Sequence, residues 1–255
     1  MSADDWLHTG IGSSAPDAIT VRGRNLATDL MGRVSFTELA FLLVRDRMPT
    51  PQETALLDAV LVSLADHGLT PTVLAARLTY TGAPESLQGA IAAGLLGGGT
   101  VFLGVAEDTA AFLAGILAAA GDGDDGLRRA ADAAVAARMA EGGRIPGLGH
   151  PVHKVEDPRT PRIYAIAEEN GLAGGHLRAL RLVAEAHAAR SGRALPINGA
   201  GVAGAALADL GFPAGIVRGF ALLARTAGLV AHLAEEMERP LGMPLFREVD
   251  RRASP

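Results

Sequence analysis

The 255-residue sequence contains no cysteine. That excludes a disulfide framework, a thiolate metal site and a cysteine nucleophile, and it fits a reducing compartment. Aromatic residues make up only 4% and runs of β-branched residues are rare, which argues against a sheet-based fold. Although 49% of residues are hydrophobic and mean hydropathy is +0.24, no apolar run reaches the ~18–20 residues of a membrane span without a Gly, Pro or charge break. No membrane partner is therefore expected. The opening Met1-Ser2-Ala3-Asp4-Asp5 is acidic and lacks the basic-then-apolar order of a secretory leader, so the expected location is cytoplasmic. Basic charge is also short: the net charge is -5 and the pI about 5.8. The overall field repels polyanions, so nucleic acid is not an expected partner and an anionic small molecule has to be held by a local group of arginines.

What is present is alanine and leucine at three- and four-residue spacing through most of the chain, the pattern of an all-α protein. Ser35-Phe36-Thr37-Glu38 has the form of a capping box and predicts a helix to about Arg45. Thr50-Pro51-Gln52-Glu53 repeats that logic with proline at the first helical position and predicts a helix to near Asp66. Further helices are expected at about 71–80, 86–96, 109–120, 126–140, 161–170, 176–190, 202–209 and 215–238, with glycine clusters between them. Gly121 to Gly126 is glycine- and aspartate-rich but lacks the twelve-residue spacing and terminal Glu of a calcium loop, and is read as a solvated loop. No repeat of fixed period is visible.

Three stretches carry chemistry. Arg144-Ile-Pro-Gly-Leu-Gly-His-Pro-Val-His-Lys154, followed by Asp157-Pro158-Arg159, places a histidine on a glycine-rich turn with a lysine and an arginine close behind. Such a turn can set an acid/base group beside cations that hold carboxylate or phosphate; a surface loop with scattered charges is the plainer reading. Asp66-His67-Gly68 lies between two predicted helices, where a histidine can also serve as a plain helix end. The run from Phe220 to His232 puts Arg225 inside an apolar helix. A buried guanidinium keeps its charge and needs an anion, which a protein carboxylate such as Glu235 can also supply.

The long turn resembles the P-G-x-G-H-x-V and D-P-R signature of the citrate synthase superfamily. Together with Ile19 to Gly32, Ser35-Phe36, Leu42-Leu43 and Met48-Pro49, the chain is most similar to short bacterial citryl-CoA lyases and to the citryl-CoA lyase domain of ATP-citrate lyase. The resemblance implies a citrate synthase-like fold, with a large helical domain at 1–103 and 211–255 and a smaller inserted helical domain at 104–210. It implies that His150 takes or holds the oxygen-bound proton at the scissile carbon and that His67 contacts the 2-oxo-acid portion. Arg159 and Arg225, the latter in a run like the family's R-x-x-G-x-x-A-H helix, become carboxylate clamps through two-point hydrogen bonds. Arg239 of Arg239-Pro240 becomes an arginine that reaches across a homodimer interface. Lys154 with Gly147 and Gly149 falls to the coenzyme A side, and His232 to a structural role.

Two positions depart from the pattern. Gly99-Thr100-Val101-Phe102-Leu103-Gly104-Val105 stands where citrate synthases carry a second catalytic histidine, so Phe102 takes that place beside the substrate, as in the lyase domain of ATP-citrate lyase; ordinary core packing is the alternative. Asn198-Gly199-Ala200-Gly201 stands for N-V-D-G, keeping Asn198 as a substrate-side residue but putting Ala200 where the family exchanges a proton through Asp. His153, Glu107 or water are the available substitutes. The resemblance thus implies an enzyme cleaving citryl-CoA or a related 3-hydroxy-3-carboxyacyl-CoA into an acyl-CoA and a 2-oxo acid such as oxaloacetate. The coenzyme A thioester is then substrate or product, a di- or tricarboxylate is the second ligand, and neither a tightly bound cofactor nor a metal is called for. A condensing citrate synthase and a non-catalytic coenzyme A or polycarboxylate binder are the alternatives.

Overall fold

The computed structural model describes residues 8–254; the acidic opening Met1 to Asp5 lies outside them. The fold is helical, as the alanine and leucine spacing predicts. Its helices are α1 (Phe36–Arg45), α2 (Pro51–Ala65), α3 (Pro71–Gly82), α4 (Leu87–Leu96), α5 (Val105–Ala119), α6 (Gly123–Ala140), α7 (Arg159–Glu169), α8 (Gly175–Ser191), α9 (Gly199–Asp209), α10 (Ala214–Glu238) and α11 (Gly242–Ala253). Both predicted capping boxes form. Ser35 Oγ accepts from Glu38 N at 3.2 Å while the Glu38 carboxylate accepts from Ser35 N at 2.7 Å, and Thr50 and Glu53 repeat the exchange.

Several boundaries move. Helix α5 begins at Val105 rather than Thr109, and α9 at Gly199 rather than Val202. The expected loop at 121–126 is mostly the first turn of α6, where Asp124 and Asp125 complement the helix dipole. Two features were not expected at all. Strands β1 (Gly12–Ser14), β2 (Ile19–Val21) and β3 (Arg24–Asn25) form a small antiparallel meander, fastened to α1 by the Arg22 guanidinium donating to Leu43 O. Helix α11 follows Pro240, beyond the last helix expected at 215–238.

The main core joins Phe41, Leu56, Leu57 and Val60 to Leu113, Val135, Leu180, Val202, Leu207 and Phe220. Helix α9 runs through it, with Val202, Ala203, Ala205, Ala206 and Leu207 all fully buried. A smaller cluster of Val73, Ala76, Ala90, Leu229 and Leu233 packs α3 and α4 against α10. By length and composition α10 is the one described helix that passes for a membrane span. Here it packs against α2, α3, α4, α5 and α9, with Arg225 and Glu236 on its buried face.

The α10–α11 corner is fixed by a buried ion pair. Arg77 donates from Nε to Glu236 at 2.5 Å and from Nη1 to Glu235 at 2.9 Å, and the Glu236 carboxylate accepts from Leu241 N and Gly242 N at the start of α11. The Arg77 and Glu236 side chains are only 4% and 3% exposed, so removing one leaves the other buried without its partner. Arg77→Leu is expected to lower unfolding free energy by about 3–5 kcal/mol in urea titration; a loss under about 1 kcal/mol counts against this clamp.

Candidate active site

The turn that carries His150 is stitched to the start of α9. Leu148 pairs with Ile197 in an isolated antiparallel bridge, Gly149 N donates to Pro196 O at 2.8 Å, and Asn198 N donates to Gly147 O at 2.9 Å. Asn198 caps α9, its Oδ1 accepting from Gly201 N at 2.8 Å while its Nδ2 donates to Gly149 O at 2.9 Å. Gly147 and Gly149 sit at φ 81° and 80°, and a Cβ on Gly201 would lie 2.5 Å from the Gly147 Cα. The polar groups of Asn198 and these glycines are therefore engaged with one another. Together they fix the turn that presents His150.

His150 itself is oriented by the backbone. Its Nδ1 accepts from Val152 N at 3.1 Å and from His153 N at 3.0 Å. An acceptor nitrogen is unprotonated, so the neutral ring carries its proton on Nε2. Lys154 Nζ closes the turn by donating to His150 O at 3.1 Å.

Three imidazoles meet here. The His67 ring centroid lies 5.3 Å from that of His150 and 6.1 Å from that of His153, and His150 and His153 are stacked at 4.5 Å. His67 stands on the turn after α2. Its neighbour Asp66 accepts from Gly68 N at 2.9 Å and lies 2.8 Å from His232 Nε2 on α10. The contact depends on Gly228, because a Cβ there would overlap the Ala65 carbonyl oxygen. Arg225, Gly228 and His232 share one face of α10, so this close crossing brings His232 to Asp66 and Arg225 to the end of α2.

The two arginines differ in their partners. Arg159 is forked onto Asp157, Nε to Oδ1 at 2.9 Å and Nη2 to Oδ2 at 2.7 Å, and its Nη1 donates to Ser63 O at 3.4 Å. Asp157 is fully buried and also accepts from Gly199 N at 2.7 Å. Burial pushes its carboxyl up, but Arg159 and the Gly199 amide outweigh that and hold it well below the usual carboxylate range. Arg225 is 6% exposed and makes long bonds to Leu64 O and Thr70 Oγ1, both 3.4 Å. Among the described residues no carboxylate comes within ion-pair distance of it. Glu235, the protein partner considered for it, pairs with Arg77 instead.

These charges act on the imidazoles. His67 is held below the ordinary histidine value first by desolvation, then by Arg159 and Arg225. His150 is lowered first by desolvation, then by His153, against the opposing pull of Asp157. The three histidines offer nitrogens that all lie within 4.8 Å of one another. With two guanidiniums alongside, the cluster suits an anion that accepts hydrogen bonds better than a divalent cation.

Other expected residues lie apart. Arg239 is exposed at the C-terminal end of α10, fourteen residues or ~21 Å along the helix from Arg225, and its carbonyl accepts from Arg77. Phe102 is 43% exposed, so it is not packed in the core. Glu107 is paired with Arg218 at 2.5 Å. Ala200 sits in the first turn of α9 beside Gly199. Sequence reasoning gave no role to Asp157, although it is the first residue of the D-P-R element.

The citrate synthase C-terminal domain family model matches residues 44–247. The chain belongs to the citrate synthase family. Within that family it is similar in structure to a citryl-CoA lyase from Hydrogenobacter thermophilus, with 32% identity, a TM-score of 0.82, and coverage of 91% of this chain and 87% of that one. An ATP citrate lyase from Methanothrix soehngenii, in complex with citrate and coenzyme A, shares the fold at 21% identity and a TM-score of 0.77, over 91% of this chain and 39% of that chain. Among curated relatives, "Putative citrate synthase 2" of Mycobacterium tuberculosis is 30% identical over 198 residues, 74% of this chain and 49% of that protein. The chain thus spans about half the length of the curated relatives it matches.

In this citrate synthase family member the lowered imidazoles give a direct test. The folded state disfavours protonation of His67 and His150, so both rings are expected to titrate below the ~6.5 of free histidine in histidine NMR, and folding stability falls as pH drops through that range. Adding a dicarboxylate is expected to raise the His67 midpoint by neutralising the guanidiniums. Midpoints at or above the free-histidine value contradict the arrangement described.

Proposed function

We propose that this protein cleaves citryl-CoA, or a related 3-hydroxy-3-carboxyacyl-CoA, into an acyl-CoA and a 2-oxo acid such as oxaloacetate. The observation that carries the reading is Arg225: a buried guanidinium with no carboxylate at ion-pair distance among the described residues, beside a nest of imidazoles. A substrate carboxylate supplies the missing anion with a forked, charge-assisted pair. The 32% identity to a citryl-CoA lyase over most of both chains supports cleavage as the direction.

Roles follow from hydrogen positions. His150, with Nδ1 committed to two backbone amides, offers Nε2–H to the oxygen on the scissile carbon. It holds that oxygen as hydroxyl becomes carbonyl, and does not remove its proton. His67, at the rim between the guanidiniums, contacts the 2-oxo-acid portion. Arg159 contributes its remaining N–H groups and its positive charge, the fork being engaged with Asp157. Arg159→Lys is therefore expected to lower stability as well as ligand affinity, because a lysine cannot reproduce a two-point grip on a buried carboxylate. Lys154 faces solvent at the end of the turn, where a coenzyme A phosphate can reach it. The division into a large domain at 1–103 and 211–255 and a smaller one at 104–210, a homodimer that brings the partner's equivalent of Arg239 into play, and a cytoplasmic location all belong to this proposal.

Ala200 favours a second reading, a non-catalytic binder of coenzyme A or polycarboxylates, since no carboxylate stands in the first turn of α9 to exchange a proton. A condensing citrate synthase is the third, in which the same groups run the reaction backwards. Incubation with citryl-CoA, followed by chromatography for acetyl-CoA and oxaloacetate, separates them. Product formation at a rate lowered at least ~10²-fold by His150→Ala is expected. Binding without turnover in either direction, across a panel of 3-hydroxy-3-carboxyacyl-CoA thioesters, selects the binder.

A further inference from the structure

We propose that His153 carries the proton in this reaction, accepting it from the tertiary hydroxyl and returning it to the α-carbon of the departing acyl thioester. The inference rests on the cleavage reading above. In that cleavage the C–C electron pair passes to the thioester as an enolate, the hydroxyl oxygen keeps its electrons as the new carbonyl, and its proton must leave. The enolate carbon must then gain one. Net proton change is zero, so a single base can serve both transfers. Oxygen and α-carbon are bonded to the same carbon of the substrate, which puts both within reach of one imidazole.

Elimination among the surrounding groups leaves His153. Ala200 has no transferable proton. Asp157 is fully buried with both oxygens occupied by Arg159 and Gly199 N. Glu107 is paired with Arg218. Arg159 and Arg225 keep their protons at any working pH. His150 has its Nδ1 filled by two amides, so its remaining nitrogen already bears hydrogen and serves as a donor. His67 lies under the influence of both guanidiniums, which disfavour a positive ring.

His153 has the geometry for the task. Its ring stacks on His150 at 4.5 Å and meets His67 edge-on at 6.1 Å, and it brings a nitrogen within 4.8 Å of nitrogens on both. Unlike His150, it makes no ring hydrogen bond within the protein among the described residues, so either nitrogen is open to substrate. The stacking holds it over the ring that holds the substrate oxygen, at an interplanar angle of 29°, and the half-buried setting restricts exchange with bulk water.

The test uses the full chain and the acyl-CoA thioester that the wild type cleaves. His153→Phe keeps an aromatic ring to stack on His150 but cannot carry a proton, and His153→Gln keeps polarity without basicity. Both are expected to lower kcat by ~10²–10⁴-fold with KM little changed and melting temperature preserved. Adding Ala200→Asp to His153→Phe is expected to restore part of the rate. Equal kcat in wild type and both variants overturns the role of His153 and leaves the cleavage reading intact. A parallel loss of kcat and melting temperature in both variants makes His153 structural and also overturns it. If the wild type cleaves no thioester in the panel, the cleavage reading itself fails and His153 has no proton to carry.

Discussion

The site depends on one buried carboxylate. Asp157 has no solvent exposure and accepts four hydrogen bonds, three from Arg159 and one from the first amide of α9. That set ties the end of the His150 turn, the start of α7 and the start of α9 to one point, and through Arg159 Nη1 it reaches Ser63 on α2. Gly199 leaves room for the guanidinium to lie against the helix start, where a Cβ would collide with it. Without this pairing a buried carboxylate is left with two backbone amides, those of Arg159 and Gly199, and no countercharge.

Around that anchor the charge is arranged asymmetrically. A protein of net charge -5 draws no anion by its overall field, so the attraction is local and comes from Arg159 and Arg225. Arg159 is paired with Asp157; among the described residues Arg225 has no carboxylate at ion-pair range. Leaving a guanidinium buried in that state costs folding free energy. Burial first, and for His67 the two guanidiniums after it, hold the His67 and His150 rings below the ordinary histidine value and so favour their neutral forms. An anionic ligand with a carbonyl or hydroxyl between its carboxylates satisfies both groups at once.

Much of this is legible in the sequence because it is local. The capping boxes at Ser35 and Thr50 and the G-x-G-H turn depend on neighbours three or four residues away, and all form as read. The imidazole cluster and the arginines were assembled from a family likeness, and chain spacing alone does not bring His67 to His150. What escaped the sequence depends on contacts far apart in it. Asn198 and the glycines of the turn serve one another across fifty residues. Glu235 pairs with Arg77 instead of Arg225, which lies ten residues, or nearly three helical turns, back along α10. The short strands before Leu26 were missed because segments of two or three residues are too short to show alternation, and α11 because its start is capped by Glu236 rather than by its own sequence.

The central claim is that Arg225 is a buried charge kept for a ligand carboxylate. Arg225→Met preserves the length of the side chain and removes the charge, so melting temperature and citrate affinity, measured by calorimetry on the same preparations, separate the two demands on it. The account predicts a melting temperature equal to or above that of the wild type, since an isolated buried cation is replaced by an apolar chain of similar volume, together with citrate affinity weakened by at least about tenfold. A variant that melts well below the wild type yet binds citrate unchanged would show that Arg225 belongs to the fold and not to the site.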